Sequence, residues 1–269
     1  MTTLNSPPPT DLGPILREWR TRRRLSQLDL ASEAEISQRH LSFVESGRAR
    51  PSRQMVLRIA ERLDLPLRET NRLLLAAGYA PHFQERQFDD PALAPALDAV
   101  ERVLEAHAPY PAFAVDRHWV LVRANASAQM LLSTVEDRSL LQPPVNVLRA
   151  SLHPRGAASS IVNLVEWRDH ILERLRRLNQ AVADPELIAL ERELQSYPAP
   201  PRKAPPDPAR YSAIAVPLRI RLGETVLSFI STITVFGTPL DVTLSELAIE
   251  SFFPADAETG TYLKAAAGR

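Results

Sequence analysis

Cysteine is absent from all 269 residues, so disulfides, thiolate metal ligands and a cysteine nucleophile are excluded. Glycine is scarce. Its eight residues stand far apart and form no G-x-G-x-x-G fingerprint, no phosphate-cradling loop and no G-x-S-x-G elbow. The six histidines (40, 82, 107, 118, 153 and 170) never fall within ten residues of one another, which leaves no local zinc pair. No apolar run approaches the ~18 residues of a membrane span, and no charged-then-apolar signal segment opens the chain. The expectation is a cytoplasmic protein without membrane insertion, enzymatic activity, cofactor or metal.

What is present is an ordinary globular composition, 45% apolar and 24% charged. At roughly 100–200 residues per domain, the length suggests two domains or one large one. The net charge of zero hides an asymmetry. Residues 1–80 hold 13 Arg and no Lys against 9 Asp plus Glu, a balance of +4, while the remainder holds 19 basic and 23 acidic residues, or −4. A basic head on an acidic body places any polyanion partner at the head.

The opening eleven residues, with three consecutive prolines, read as a frayed tail. Residues 12–80 then read as five short helices. Leu12, Ile15, Leu16 and Trp19 recur on one helical face. Ser26 caps a second helix that ends near Glu35, and a third spans about Ser37 to Ser46 with Leu41 and Val44 inward. Pro51-Ser52 opens a fourth. The fifth runs from about Leu67 to Ala77 and stops at Gly78.

Residues 81–106 read as a connector, and 107–265 as an α+β domain with an antiparallel sheet of about five strands. Ala112–Asp116 and Trp119–Ala124 form a hairpin around Arg117-His118, and Asn125 caps a short helix through Leu132. Longer helices are expected near Ser159–Leu178 and Pro185–Ser196. Six prolines between 198 and 210 mark an extended loop. Ile214, Val216, Leu218, Ile220 and Leu222 then alternate up to Gly223-Glu224, a Gly-first hairpin turn. The register sets Ile220 opposite Leu227, Leu218 opposite Phe229, Val216 opposite Ser231 and Ile214 opposite Ile233. Leu247–Phe253 reads as a further strand with Leu247, Ile249 and Phe253 on one face.

The sharpest motif is Ser26-Gln27 … Ala31 … Ile36-Ser37-Gln38-Arg39 … Leu41 … Val44-Glu45-Ser46-Gly47. Small Ala31 lets two helices cross closely, and Leu41 and Val44 plug the angle between them. Ser37, Gln38, Arg39 and Phe43 are then free to enter a major groove. Over about residues 12–78 the chain resembles the XRE family of helix-turn-helix regulators, which includes the lambdoid phage repressors. The resemblance implies double-stranded DNA as partner. Gln27 would bind a phosphate through its side chain or backbone N–H. Gln38 would face adenine and Arg39 guanine, and Ser37 and Phe43 would touch backbone or a thymine methyl. Ser46, Arg48 and Arg50 would flank the next phosphates, with Arg22, Arg23 and Arg24 as looser candidates. Arg20 and Glu45 would form a structural ion pair. Glu35 stands where the family usually has a left-handed glycine.

Leu65 to Pro81 resembles the exit helix of an XRE branch that carries an MmyB-like C-terminal domain. Ala114-Val115-Asp116-Arg117, Trp119, Asn125, Asn146-Val147-Leu148-Arg149, His153-Pro154, Trp167 and the closing sheet agree with that branch. The resemblance implies a PAS-like fold whose hydrophobic cavity holds a fatty-acid-like ligand. Its apolar walls would come from Phe113, Val115, Leu121, Ile214, Val216, Phe229 and Ile233. Arg149 would anchor a carboxylate, helped by Asn146 and Asn125, with His153 one turn further on. Asn125 reads equally well as a helix cap, Arg149 as the partner of a structural carboxylate, and the alternation as plain core packing. The expected whole is a DNA-binding regulator, acting as a homodimer, that responds to a hydrophobic small molecule. The alternative gives the second domain only dimerisation or protein contacts.

Overall fold

Leu12, Ile15, Leu16 and Trp19 are all buried on one face of α1 (Leu12–Arg22), as their spacing requires. The computed structural model describes residues 12–182, 184–201, 216–237 and 241–267. The expected tail 1–11, most of the proline-rich loop and Ile214 lie outside them. The described residues divide into two compact units, 12–86 with 241–245 and 87–237 with 246–267.

In the first unit, α2 (Gln27–Glu33) starts from a capping box. The Asp29 backbone N–H donates to Ser26 Oγ at 3.1 Å, and the Ser26 N–H donates to Asp29 Oδ2 at 3.0 Å. Ser37 caps α3 (Gln38–Glu45), and Ser52 caps α4 (Arg53–Arg62). α5 (Leu67–Ala76) ends two residues before Gly78, whose φ is +79°. Gly13 in α1 permits a close crossing. A Cβ there would sit 2.3 Å from the Glu45 carbonyl oxygen. The core joins Leu16, Leu30, Leu41, Ile59 and Leu74, each nearly or fully buried.

Glu35 does adopt the left-handed geometry, at φ +54°. A residue with a Cβ pays roughly 1–2 kcal/mol for that conformation, and the contact of Glu35 with Arg58 at 3.4 Å is an exposed one of little worth. Glu35→Gly is therefore expected to stabilise the helical unit by about 0.5–1 kcal/mol, the gain being trimmed by glycine's greater freedom in the unfolded chain. Thermal unfolding of the two proteins checks this, and a lower melting temperature for the variant would contradict it.

In the second unit the residues read as a connector contain a helix, α6 (Ala94–Ala106), with Leu97, Val100 and Leu104 buried. It is followed by β1 (Ala112–Val115), β2 (Leu121–Ala124), α7 (Ala128–Leu132) and α8 (Val147–Leu152). Then come α9 (Leu164–Val182), α10 (Pro185–Ser196), β3 (Leu218–Leu222) and β4 (Thr225–Val235). After β4 the chain makes α11 (Val242–Ser245), which belongs to the first unit. There Val242 is fully buried and Arg86 Nη1 donates to Asp241 Oδ2 at 2.7 Å. The second unit closes with β5 (Ala248–Pro254) and α12 (Ala257–Ala267).

The five-stranded sheet has the order β2-β1-β5-β4-β3, antiparallel throughout. The hairpin register is as expected near its turn: Ile220 faces Leu227, Leu218 faces Phe229, and Gly223 has φ +58°. Farther from the turn, Val216 is not paired with Ser231, and the expected pairing of Ile214 with Ile233 lies outside the described residues. Among the described residues the ladder runs no farther than Leu218. On the outer edge of β3, Asn163 donates to the Pro217 carbonyl and accepts from the Arg219 N–H. On its other edge β4 pairs with β5, Ser231 facing Phe252 and Ile233 facing Glu250. β5 is covered on both sides. Leu247 and Ile249 pack with Val100 and Leu104 of α6, while Glu250 and Phe252 are buried on the opposite face. Phe253, expected inside with Ile249, is 41% exposed at the end of the strand.

Candidate functional site

In α3, Leu41 and Val44 are buried, while Ser37, Gln38 and Arg39 at its N-terminal end are exposed. Phe43 is half-buried, and Arg39 lies over its ring with Cζ 5.3 Å from the centroid. Ser46 and Arg48 are exposed beyond the C-terminal end. Arg50 is also exposed but already committed. Its Nε and Nη2 donate to the Ala77 and Gly78 carbonyls, and it covers the Tyr79 ring. Gln27 spends one amide hydrogen on Glu45 Oε2 at 2.8 Å, keeping its second amide hydrogen and its backbone N–H at the start of α2.

Behind this surface, Arg20 holds Glu45 bidentately, Nε to Oε1 at 2.6 Å and Nη2 to Oε2 at 3.0 Å. The Glu45 side chain is fully buried. Burial would raise its pKa, but the hydrogen bonds from Arg20 and Gln27, with the charges of Arg20 and Arg17, outweigh it and hold the carboxyl below its ordinary value. The pair orients α3 against α1 and contributes no free group to a ligand.

The second unit has an apolar cavity between α7, α8, α9 and the sheet, with a volume of about 70 Å3. Of the walls expected from sequence, Phe113 lines it. Val115 and Phe229 are buried in the surrounding core, and Leu121 packs against that core. Val216 is half-buried before β3, and Ile233 is 42% exposed. Leu131, Val135, Val147, Ile161 and Trp167 supply lining that the reading of the sheet missed.

The expected polar groups lie elsewhere. Arg149 pairs with Glu193 through Nε and Nη2 at 2.9 and 2.8 Å, with 45% of its side chain exposed, and it does not line the cavity. Asn125 accepts from the Ala112 and Ala128 N–H groups and donates to the Leu104 and Tyr110 carbonyls, which saturates it. Asn146 caps α8 and donates to the His118 carbonyl. His153 accepts from the Arg155 N–H and packs edge-on against Tyr197.

The charged groups that do line the cavity are Arg174 of α9 and Glu250 of β5, joined Nη1 to Oε1 at 3.0 Å. Trp119 covers the guanidinium with its ring centroid 4.2 Å from Cζ. Its backbone is in the left-handed region at φ +66°, rare for a bulky residue. Asp116 Oδ1 holds that turn by accepting from the His118 and Val120 N–H groups. His170, one turn before Arg174, is pushed below its ordinary pKa by burial first and by the charge of Arg174 second.

Among the described residues no cluster of three or more His, Asp or Glu could hold a metal, and no helix is long and apolar enough to cross a membrane. The chain matches the family described as MmyB-like transcription regulator ligand binding domain over residues 96–266 and a helix-turn-helix family over 16–69. No curated protein matches it. Among solved structures it is similar to the restriction-modification controller protein C.AhdI from Aeromonas hydrophila, at 34% identity over 23% of this chain and 92% of that one, with a TM-score of 0.22. It is also similar to the clp gene regulator ClgR from Corynebacterium glutamicum, at 25% identity over 29% of this chain and 96% of that one, with a TM-score of 0.24. A match spanning more than half of the chain, behind a helix-turn-helix unit, makes this protein a DNA-binding transcription regulator of the family that carries the MmyB-like ligand-binding domain.

Proposed function

We propose that this chain is a one-component regulator that reads a short operator through α3 and responds to a fatty-acid-like molecule held in the cavity of its second unit. The observation that carries the DNA half is the division of α3, with Leu41 and Val44 buried and Gln38 and Arg39 exposed side by side. A glutamine amide bonds adenine bidentately and an arginine fork bonds guanine. Ser37 and Phe43 are placed for backbone or a thymine methyl, and Gln27, Ser46 and Arg48 for phosphates. Arg50 reaches a phosphate only by giving up its two carbonyl partners, so it ranks last among them. The working form is a homodimer on a palindromic site, since two-fold symmetry in the protein is matched by symmetry in the operator.

The sensing half is supported by the apolar cavity, whose lining suits a hydrocarbon chain. A ligand shifts the balance between DNA-competent and DNA-incompetent states only if it binds one of them better. Native mass spectrometry of the purified protein would show an adduct of a few hundred daltons if such a molecule is retained, and a dimer mass if the oligomer is as proposed.

The DNA half is tested on an operator obtained by in vitro selection. Gln38→Ala and Arg39→Ala are each expected to weaken specific binding by about 1–3 kcal/mol and to relax the preference at one base pair. Arg48→Ala should weaken binding evenly across sequences and flatten its salt dependence. Unchanged affinity and preference in both α3 variants would remove them from base reading.

A further inference from the structure

The head group of the cavity's ligand can be placed, given the reading of that cavity as a ligand site. Arg174 lines the cavity, and of its three nitrogens only Nη1 has a partner, Glu250. Nε and Nη2 are closed off from solvent and have no acceptor among the described residues. Together they form the side edge of the guanidinium, whose two parallel N–H bonds match the two oxygens of a carboxylate. The same edge is in use elsewhere in this molecule. Arg20 places it on Glu45, and Arg149 places it on Glu193. At Arg174 the edge has no acceptor among the described residues, and two buried donors without acceptors are a feature that folded proteins rarely leave standing.

The other sides of the guanidinium are occupied. Trp119 covers one face, held there by its left-handed backbone, and Glu250 takes the Nη1 end. The remaining lining includes Leu131, Leu132, Val135, Val147 and Ile161, which offer contact but no hydrogen bonds. A cavity lined by a guanidinium whose side edge has no acceptor among the described residues, among apolar walls, suits a molecule with one acidic end and a hydrocarbon body.

We propose that Arg174 is the head-group anchor: a ligand monocarboxylate docks side-on onto Nε and Nη2, with its chain along the apolar walls, while Glu250 holds the opposite end of the guanidinium. Glu250 already balances the charge of Arg174, so the incoming carboxylate meets a site of no net charge. Glu250 thus sets an upper limit on affinity, which a purely structural ion pair would not do.

The test titrates the full chain with straight-chain carboxylates from octanoate to palmitate and with the alcohols of the same lengths, read by calorimetry and by the fluorescence of Trp119 and Trp167. The wild type is expected to prefer the acid over its alcohol by ~10-fold or more, the ratio typical of a charge-assisted hydrogen-bonded pair. Arg174→Met should abolish that preference. Because it strands Glu250 without its partner, the uncharged double variant Arg174→Met/Glu250→Gln is measured beside it, with thermal unfolding to show that both are folded. Glu250→Gln alone keeps an oxygen acceptor for Nη1 and should bind the acid several-fold tighter than the wild type. Acid and alcohol bound equally by the wild type, or an acid preference that survives in the double variant, would overturn the anchor while leaving the cavity a ligand site. Failure of every acid and every alcohol to bind the wild type would overturn the ligand site itself, and the anchor with it.

Discussion

Glu45→Ala is expected to cost the helical unit about 3–5 kcal/mol, the range seen when one partner of a buried ion pair is removed. Arg20 would then keep its charge at 13% side-chain exposure with no counter-ion, and Gln27 would lose its acceptor. Small domains are stable by only about 5–15 kcal/mol in all. The variant should therefore melt at a clearly lower temperature in that unit, and operator binding should be lost with it, although the Glu45 side chain is buried. Circular dichroism on heating, with the operator titration alongside, checks this. A loss under about 1 kcal/mol would mean that the pair is dispensable.

The same carboxylate predicts a pH dependence. Its folded pKa lies below its ordinary value, so its contribution is complete above the ordinary carboxylate range and drains away as the pH falls through the folded value. Glu45→Gln, which cannot ionise, should be less stable than the wild type at neutral pH and should lose less on acidification. Parallel stability curves for the two proteins would contradict that sign.

Asn125→Ala is expected to destabilise the second unit by about 3 kcal/mol, whether or not a ligand is bound. The side chain ties four backbone groups together: the N–H groups of Ala112 and Ala128 and the carbonyls of Leu104 and Tyr110. Two of these have another partner, since the Ala128 N–H also meets the Asn125 carbonyl and the Leu104 carbonyl accepts from His107. Each buried group left unsatisfied costs about 1–3 kcal/mol. The side chain joins the end of α6, the start of β1 and the start of α7, so its loss loosens three elements at once. A stable variant with weakened ligand binding would restore Asn125 to the ligand site; an unstable one with unaltered ligand selectivity is the expected result.

These two residues show what a one-dimensional reading can reach. The pairing of Arg20 with Glu45 was legible through the resemblance to the helix-turn-helix family, in which these two positions pair. Asn125, read as a helix cap, does bond the Ala128 N–H at the start of α7, but the N-cap position itself is held by Ser127. The anchor was not legible. Arg149 and Arg174 are both arginines on helices, and their different roles depend on Glu193 and Glu250, which lie 44 and 76 residues away in the chain. One signal was available. Trp167, Ile171, Arg174 and Leu175 share a helical face, which places an arginine in phase with buried residues.

By itself the sequence determined the helical unit, its caps, the outward residues of α3 and the near-turn register of the β3–β4 hairpin. All of these follow from contacts within a few residues, where spacing and side-chain chemistry leave little choice. The tertiary structure alone decided which faces of β5 are covered and which guanidinium reaches the cavity. Those depend on charges and strands that meet only when the chain turns back on itself, and several partners of equal chemistry compete for each place.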